Sequence, residues 1–124
     1  MNLNWIQLGS LYMFLAVVLG AFGSHALKEK ISVYALDIYK TGVLYHFIHA
    51  LGLFIVAWLT TVSSDPKIHY AGLFFMLGVV FFSGSLYLLS VTEMKWLGMV
   101  TPLGGIFFLT GWALIFYSQY TQIS

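Results

Sequence analysis

The charged positions of this chain are clustered. Between the clusters lie four runs without a single Asp, Glu, Lys or Arg: residues 1–27, 41–64, 68–92 and 96–124, with lengths of 27, 24, 25 and 29. A hydrocarbon core about 30 Å thick is crossed by roughly 20 helical residues, so each run holds one span and none holds two. Stretches such as Phe14-Leu15-Ala16-Val17-Val18-Leu19 and Phe74-Phe75-Met76-Leu77 are continuously apolar. A membrane barrel would need alternation instead. The pattern predicts an all-α integral membrane protein. Residues 1–124 form one domain, a small bundle of four transmembrane helices at about 5–26, 40–62, 67–90 and 102–119.

Punctuation between the runs refines this map. Lys28, Glu29, Lys30, Asp37 and Lys40 fall in one segment, where Ile31, Tyr34, Ala35 and Ile38 recur at helical spacing. Residues 28–40 therefore read as an amphipathic interfacial stretch leading into helix 2. Ser32 suits its N-cap, Gly42 is the place for a bend, and the helix ends near Val62. Ser63-Ser64-Asp65-Pro66 is a turn followed by a helix start. Thr92-Glu93-Met94-Lys95 makes the third connection. Thr101-Pro102 predicts a break in the fourth run, with Thr101 capping a helix that begins at Pro102 and Trp96 to Val100 left as a short interfacial piece.

In helix 1 the small residues Gly9, Ala16, Gly20 and Gly23 share a face, which should touch the other helices. Phe14, Leu15, Val18 and Phe22 should then face outward. Aromatic side chains mark both interfaces: Trp5, Trp58, Tyr117 and Tyr120 at one, with Trp112 a little deeper, and Tyr34, Tyr39, Tyr87 and Trp96 at the other. A faint echo at an offset of 62 links Leu11, Leu15, Val17 and Val18 with Leu73, Leu77, Val79 and Val80.

Composition narrows the function classes. Charged residues are 7% of the chain and hydrophobic ones 60%, against about 25% charged in a soluble domain. Soluble enzymes, nucleic-acid binders and disordered tails are excluded, and the partner implied first is the lipid bilayer. There is no cysteine, hence no disulfide and no thiolate site. No Lys or Arg precedes the first apolar run, so it reads as a retained helix rather than a signal peptide. An even helix count places both termini on one side. Lys28, Lys30, Lys40 and Lys95 lie opposite them and Lys67 beside them, which favours a cytoplasmic Lys-rich side and both termini outside.

Polar groups within the spans are costly and mark function or packing. None is charged. His25, His46, His49, Ser83, Ser85 and Thr101 all fall toward the Lys-rich side and form a candidate polar cluster. His46 and His49, three apart, share a helix face. Three imidazoles would bind a transition metal and two would hold a haem. Ser83-Gly84-Ser85 beside His49 would supply the atoms of a hydrolase. The start of helix 4 would suit a small anion. The plainer reading is interhelical hydrogen bonding by neutral histidines and hydroxyls, and it carries no metal, cofactor or catalytic assignment.

Several motifs together resemble a known family. They are Leu19-Gly20-Ala21-Phe22-Gly23-Ser24-His25-Ala26-Leu27, Tyr45 with His49-Ala50-Leu51, Phe82-Ser83-Gly84-Ser85-Leu86-Tyr87-Leu88-Leu89, and Thr101-Pro102-Leu103-Gly104-Gly105 followed by Gly111-Trp112. In order and across all four spans they resemble the YgdD/YwdK-like family of small bacterial membrane proteins, domain-of-unknown-function family 423, itself similar to eukaryotic transmembrane protein 256. The resemblance implies a four-helix membrane protein and brings no activity. Its motif residues carry over as His25, His49, Ser83, Ser85, Thr101 and Pro102. His46 stands where the family is expected to carry Gln, which leaves a shared metal site only two histidines; Tyr39 stands where Trp is expected. Gly20, Gly23, Gly84, Gly104 and Gly105 are the expected packing positions. The expected role is non-enzymatic: binding or organising membrane components, with leftover glycine faces suited to a homo-oligomer and no nucleic-acid partner. The alternatives are solute or ion passage by the His/Ser/Thr cluster and metal or haem binding.

Overall fold

The computed structural model describes residues 3–123. Four helical spans, Trp5–Leu27, Val33–Val62, Pro66–Thr92 and Lys95–Tyr120, are each long and apolar enough to cross a membrane. Among the described residues there is no strand.

Helix α1 (Trp5–Phe22) opens on a reciprocal cap. Asn4 accepts from the Gln7 N–H at 2.8 Å and the Gln7 side chain accepts from the Asn4 N–H at 2.9 Å, satisfying two donors that a helix start leaves free. Its continuation, Gly23–Leu27, is a wide π-turn. Helix α2 (Val33–Val62) is capped by the Ser32 hydroxyl, which accepts from the Ala35 N–H at 3.0 Å. Its 30 residues extend about 45 Å at 1.5 Å each, well beyond the hydrocarbon thickness. Of the expected interfacial stretch, residues 28–32 form a turn, and the part from Val33 on is the overhang of one continuous helix, which runs through Gly42 without a break. Its packed face also differs from the expected one. Ala35, Tyr39 and Gly42 are buried, while Tyr34 is exposed. The reason lies on α1: the Tyr39 hydroxyl donates to the Leu19 carbonyl, and its ring lies over Gly23.

Helix α3 (Pro66–Gly78) starts as the turn signal requires, with Pro66 in the first turn. Asp65 accepts from the Lys67 N–H at 2.9 Å and pairs with the Lys67 ammonium at 3.5 Å. A second π-turn, Val79–Ser83, joins it to α4 (Gly84–Thr92). The sequence pattern showed an unbroken third helix and no sign of this turn beyond its flanking Gly78 and Gly84. Glu93, with φ 58, closes α4 in a left-handed cap. The fourth span breaks where Thr101-Pro102 indicated: a 3₁₀ turn at Lys95–Met99 precedes α5 (Thr101–Ile123). Thr101 lies inside α5 and is not its cap. Its hydroxyl is drawn away to Ser85 at 2.6 Å and to the Leu97 carbonyl at 3.4 Å.

The bundle has inner and outer spans. In the two inner ones, α2 and α3–α4, 44% and 39% of the apolar window is buried, against 17% in each outer one. Helix α1 lies on α2, and α5 lies on α3 and on the π-turn that follows α3 in the chain. Leu53, Val56, Leu59, Ile68 and Phe75 form the shared core. In lipid these contacts rest on close packing, since leaving the bilayer gains an apolar side chain nothing. The small face of α1 meets that demand, with Gly9, Ala16 and Gly23 buried and Phe14, Leu15, Val18 and Phe22 exposed. The echo between helices 1 and 3 has no counterpart in packing, because one is an outer span and the other an inner one.

Candidate functional site

The six candidate polar residues do not converge. His25 is exposed at the end of the first span, in a groove beside Lys40. The other five are distributed over the seams between spans, each engaged with a partner there.

His49 is 3% exposed and both its ring nitrogens are taken. Nδ1 lies 2.8 Å from the Tyr45 carbonyl one turn earlier, and Nε2 accepts from the Trp112 indole N–H at 2.9 Å. A carbonyl can only accept and an indole N–H can only donate. The pair therefore specifies the neutral imidazole with its proton on Nδ1, and no lone pair remains for a metal. The ring is stacked on Phe108 with centroids 3.5 Å apart and meets Phe75 edge-on.

His46, also 3% exposed, turns to different helices. Its Nδ1 is 2.8 Å from the Tyr87 hydroxyl, joining α2 to α4. Its Nε2 is buried with no hydrogen-bond partner among the described residues, and its ring meets Tyr12 of α1 edge-on. Two histidines three apart share a face, as expected, but the roughly 60° between them is enough to aim one at α4 and α1 and the other at α5 and α3.

Ser83 is fully buried and donates to the Gly42 carbonyl of α2 at 2.7 Å. The π-turn positions it, since an added residue in a helical turn rotates the next stretch of helix about its axis. Ser85 faces the other way and meets Thr101. Neither serine hydrogen-bonds a histidine, so the nucleophile–base pair of a serine–histidine hydrolase is not joined. Among the described residues no three His, Asp or Glu side chains are grouped to hold a metal ion.

Three stitches go beyond the expected cluster. Trp112, expected as an interfacial anchor, is the hydrogen-bond partner of His49. Trp5 donates from its indole N–H to His69 Nδ1 at 3.0 Å, joining the first and third spans at the terminal side. His69 lies outside the candidate cluster, although its level beside Trp5 is a signal for the pair. Tyr12 donates to the Met76 carbonyl at 3.2 Å.

The expected packing glycines divide. A Cβ on Gly104 would collide with the Phe82 backbone, and one on Gly23 with the Tyr39 ring. Gly20 sits at ordinary contact distance from Val43, 3.4 Å. At Gly84 and Gly105 the nearest atoms are 4.0 and 3.9 Å away, so no neighbouring helix demands a glycine there. Gly78, against Phe108, and Gly111, against Phe75, are close-packed positions outside the expected packing set.

Residues 19–105 match the model of a family described as protein of unknown function, DUF423. The chain is similar to the UPF0382 membrane protein YwdK of Bacillus subtilis, 49% identical over 112 residues that cover 90% of this chain and 91% of that protein. A UPF0382 membrane protein of Staphylococcus haemolyticus is 40% identical over 116 residues, covering 94% of each chain. One from Staphylococcus aureus is 38% identical over the same length and coverage. No solved structure matches.

Proposed function

Taking as premise that this chain belongs to the DUF423 family of membrane proteins, we propose that it is a non-enzymatic protein of the bacterial cytoplasmic membrane that binds or organises other membrane components through closely packed helices. One observation carries the reading. Four of the buried polar side chains are engaged across seams between spans: Ser83 with Gly42, Ser85 with Thr101, His46 with Tyr87, His49 with Trp112. Groups held this way set helix register and leave little to act on a substrate. The outer faces are free for partners, with Phe14 on α1 and Leu109 on α5 well exposed, and they suit self-association.

A second reading, passage of a proton or small solute, draws on a single atom, the unpartnered Nε2 of His46. Reconstituted vesicles loaded with a pH dye decide between the two. The organising role predicts proton and potassium leak equal to that of empty vesicles. Leak above that level, abolished in His46→Phe, would overturn it.

The termini are assigned to the outer side. The absence of cysteine makes single-cysteine labelling clean. In intact cells a membrane-impermeant maleimide should label Ser64→Cys and not Lys95→Cys; the reverse pattern inverts the topology.

A further inference from the structure

The seam between α1 and α2 is not closed along its whole length. Near the Lys-rich side it opens into a groove of about 420 Å³. The cause is a run of small residues. Gly20 and Ala21 contribute almost no side chain, and Val43 and Phe47 of α2 line the groove without filling it. Its body is apolar and lies at a depth where the surrounding solvent is acyl chain. Its Lys-rich end is different. His25 and Lys40 flank it there, one from each helix, with Ser24 alongside. Both residues sit at headgroup level: His25 is within one turn of the end of the first span, and Lys40 is on the overhanging part of α2.

The charge at this end is uncompensated at short range. Among the described residues the one salt bridge is Lys67 with Asp65, on the far side. Lys40 therefore has no carboxylate within 4.0 Å. Lys28 and Lys30 line an adjoining depression with Ser24 and His25. The acidic residues nearby in sequence are Glu29, between those lysines, and Asp37, three positions before Lys40. Three lysines less two carboxylates leave +1 before any charge on His25.

We propose that this groove seats one acyl chain of an anionic phospholipid, whose phosphate is held by Lys40, His25 and Ser24. The inference rests on the membrane-organising role and names one component that is organised. An apolar furrow within the bilayer must be filled by something apolar, and a lysine, an imidazole and a hydroxyl at its head are donors for a phosphate. A second copy of the chain would fill the furrow and leave these donors unanswered.

Native mass spectrometry of the full-length protein, released from nanodiscs of equal phosphatidylglycerol and phosphatidylcholine, tests this. One phosphatidylglycerol should remain bound in clear preference to phosphatidylcholine. Lys40→Gln should cut that preference by about fivefold, the effect of one lysine near an anionic surface. Lys95→Gln, on the same face but away from the groove, should leave it unchanged. Ala21→Phe, at an exposed position on the groove wall, should displace both lipids. If Ala21→Phe does not fold, the Lys40 and Lys95 pair still decides. Equal retention of the two lipids by the unaltered protein would overturn the proposal, as would a dimer carrying no lipid. Equal loss in Lys40→Gln and Lys95→Gln would do the same, reducing the preference to diffuse surface charge. These outcomes are independent of the vesicle leak test, which bears on the histidine stitches alone.

Discussion

The two outer spans are fastened by different means. Helix α5 is held backbone to side chain and backbone to backbone. Gly104 meets the Phe82 main chain, Gly78 takes the Phe108 ring, and Gly111 takes Phe75 and approaches the Ala71 carbonyl. Two polar stitches, Ser85 with Thr101 and His49 with Trp112, fix its register. Helix α1 is held by rings laid over glycines, Tyr39 on Gly23 and Phe54 on Gly9, and by the Tyr39 hydroxyl on the Leu19 carbonyl. Between these contacts it leaves a groove. In lipid both solutions are open to a chain, because association depends on how closely surfaces fit and not on expelling water. The difference teaches that glycine does two jobs here. On the α5 seam it lets helices touch, and on the α1 seam it also keeps a space.

The largest effect should come from Gly104→Ala. Its Cβ would land on the Phe82 backbone, which cannot rotate aside. A loss at or above roughly 3 kcal/mol, the top of the usual overpacking range, is expected. Thermal unfolding in detergent should show little folded protein; a midpoint near that of the unaltered chain would break the contrast between the seams. Next comes Gly23→Ala. Here the obstacle is the Tyr39 ring, which can swing if it gives up its bond to Leu19. About 1–2 kcal/mol should be lost, and Tyr39→Phe in the same background should add little, because the bond is already broken. Additive losses would show that the ring stays in place.

Smaller effects sharpen the polar side of the comparison. Trp112→Phe keeps an aromatic ring near Phe75 and removes the donor to His49, so it should cost about 0.6 kcal/mol, up to about 1.7, as interhelical hydrogen bonds in membranes do. A double-mutant cycle with His49→Phe should assign that energy to the pair, and a coupling of zero would sink the assignment. Smallest is Gly105→Ala, where the nearest atom to a new methyl is 3.9 Å away. It should be neutral or stabilising by up to about 1 kcal/mol, because alanine is the better helix former. A clear loss would reveal a contact on that face from a partner or a second copy.

Much of this was legible in the residues themselves. The spacing of charged residues marked the four spans, since an unpaired charge in hydrocarbon is too costly to sit within one. The Ser32 cap, the Asp65-Pro66 start and the break before Thr101 were local signals that the folded chain obeys. The small face of α1 was read from its period alone.

Residue types and spacing left the facing of each helix open, and tertiary contacts decided it. One level of the membrane held His25, His46, His49, Ser83, Ser85 and Thr101, and a shared depth suggested a shared site. Depth is only one coordinate. Rotation about each helix axis is the other, and in a chain apolar on nearly every face the pattern does not determine it. The π-turn at Val79–Ser83 changed that rotation in mid-span and sent Ser83 to α2 and Ser85 to α5. The choice of Trp112 as the partner of His49, and of Tyr39 over Tyr34 as the buried ring of α2, likewise came from which neighbour stood opposite. Charge and hydropathy along the chain determined how many helices there are and where they run. Only packing decided which way each one faces, because in lipid the alternatives differ by the fit of glycines against rings and not by how much apolar surface is hidden.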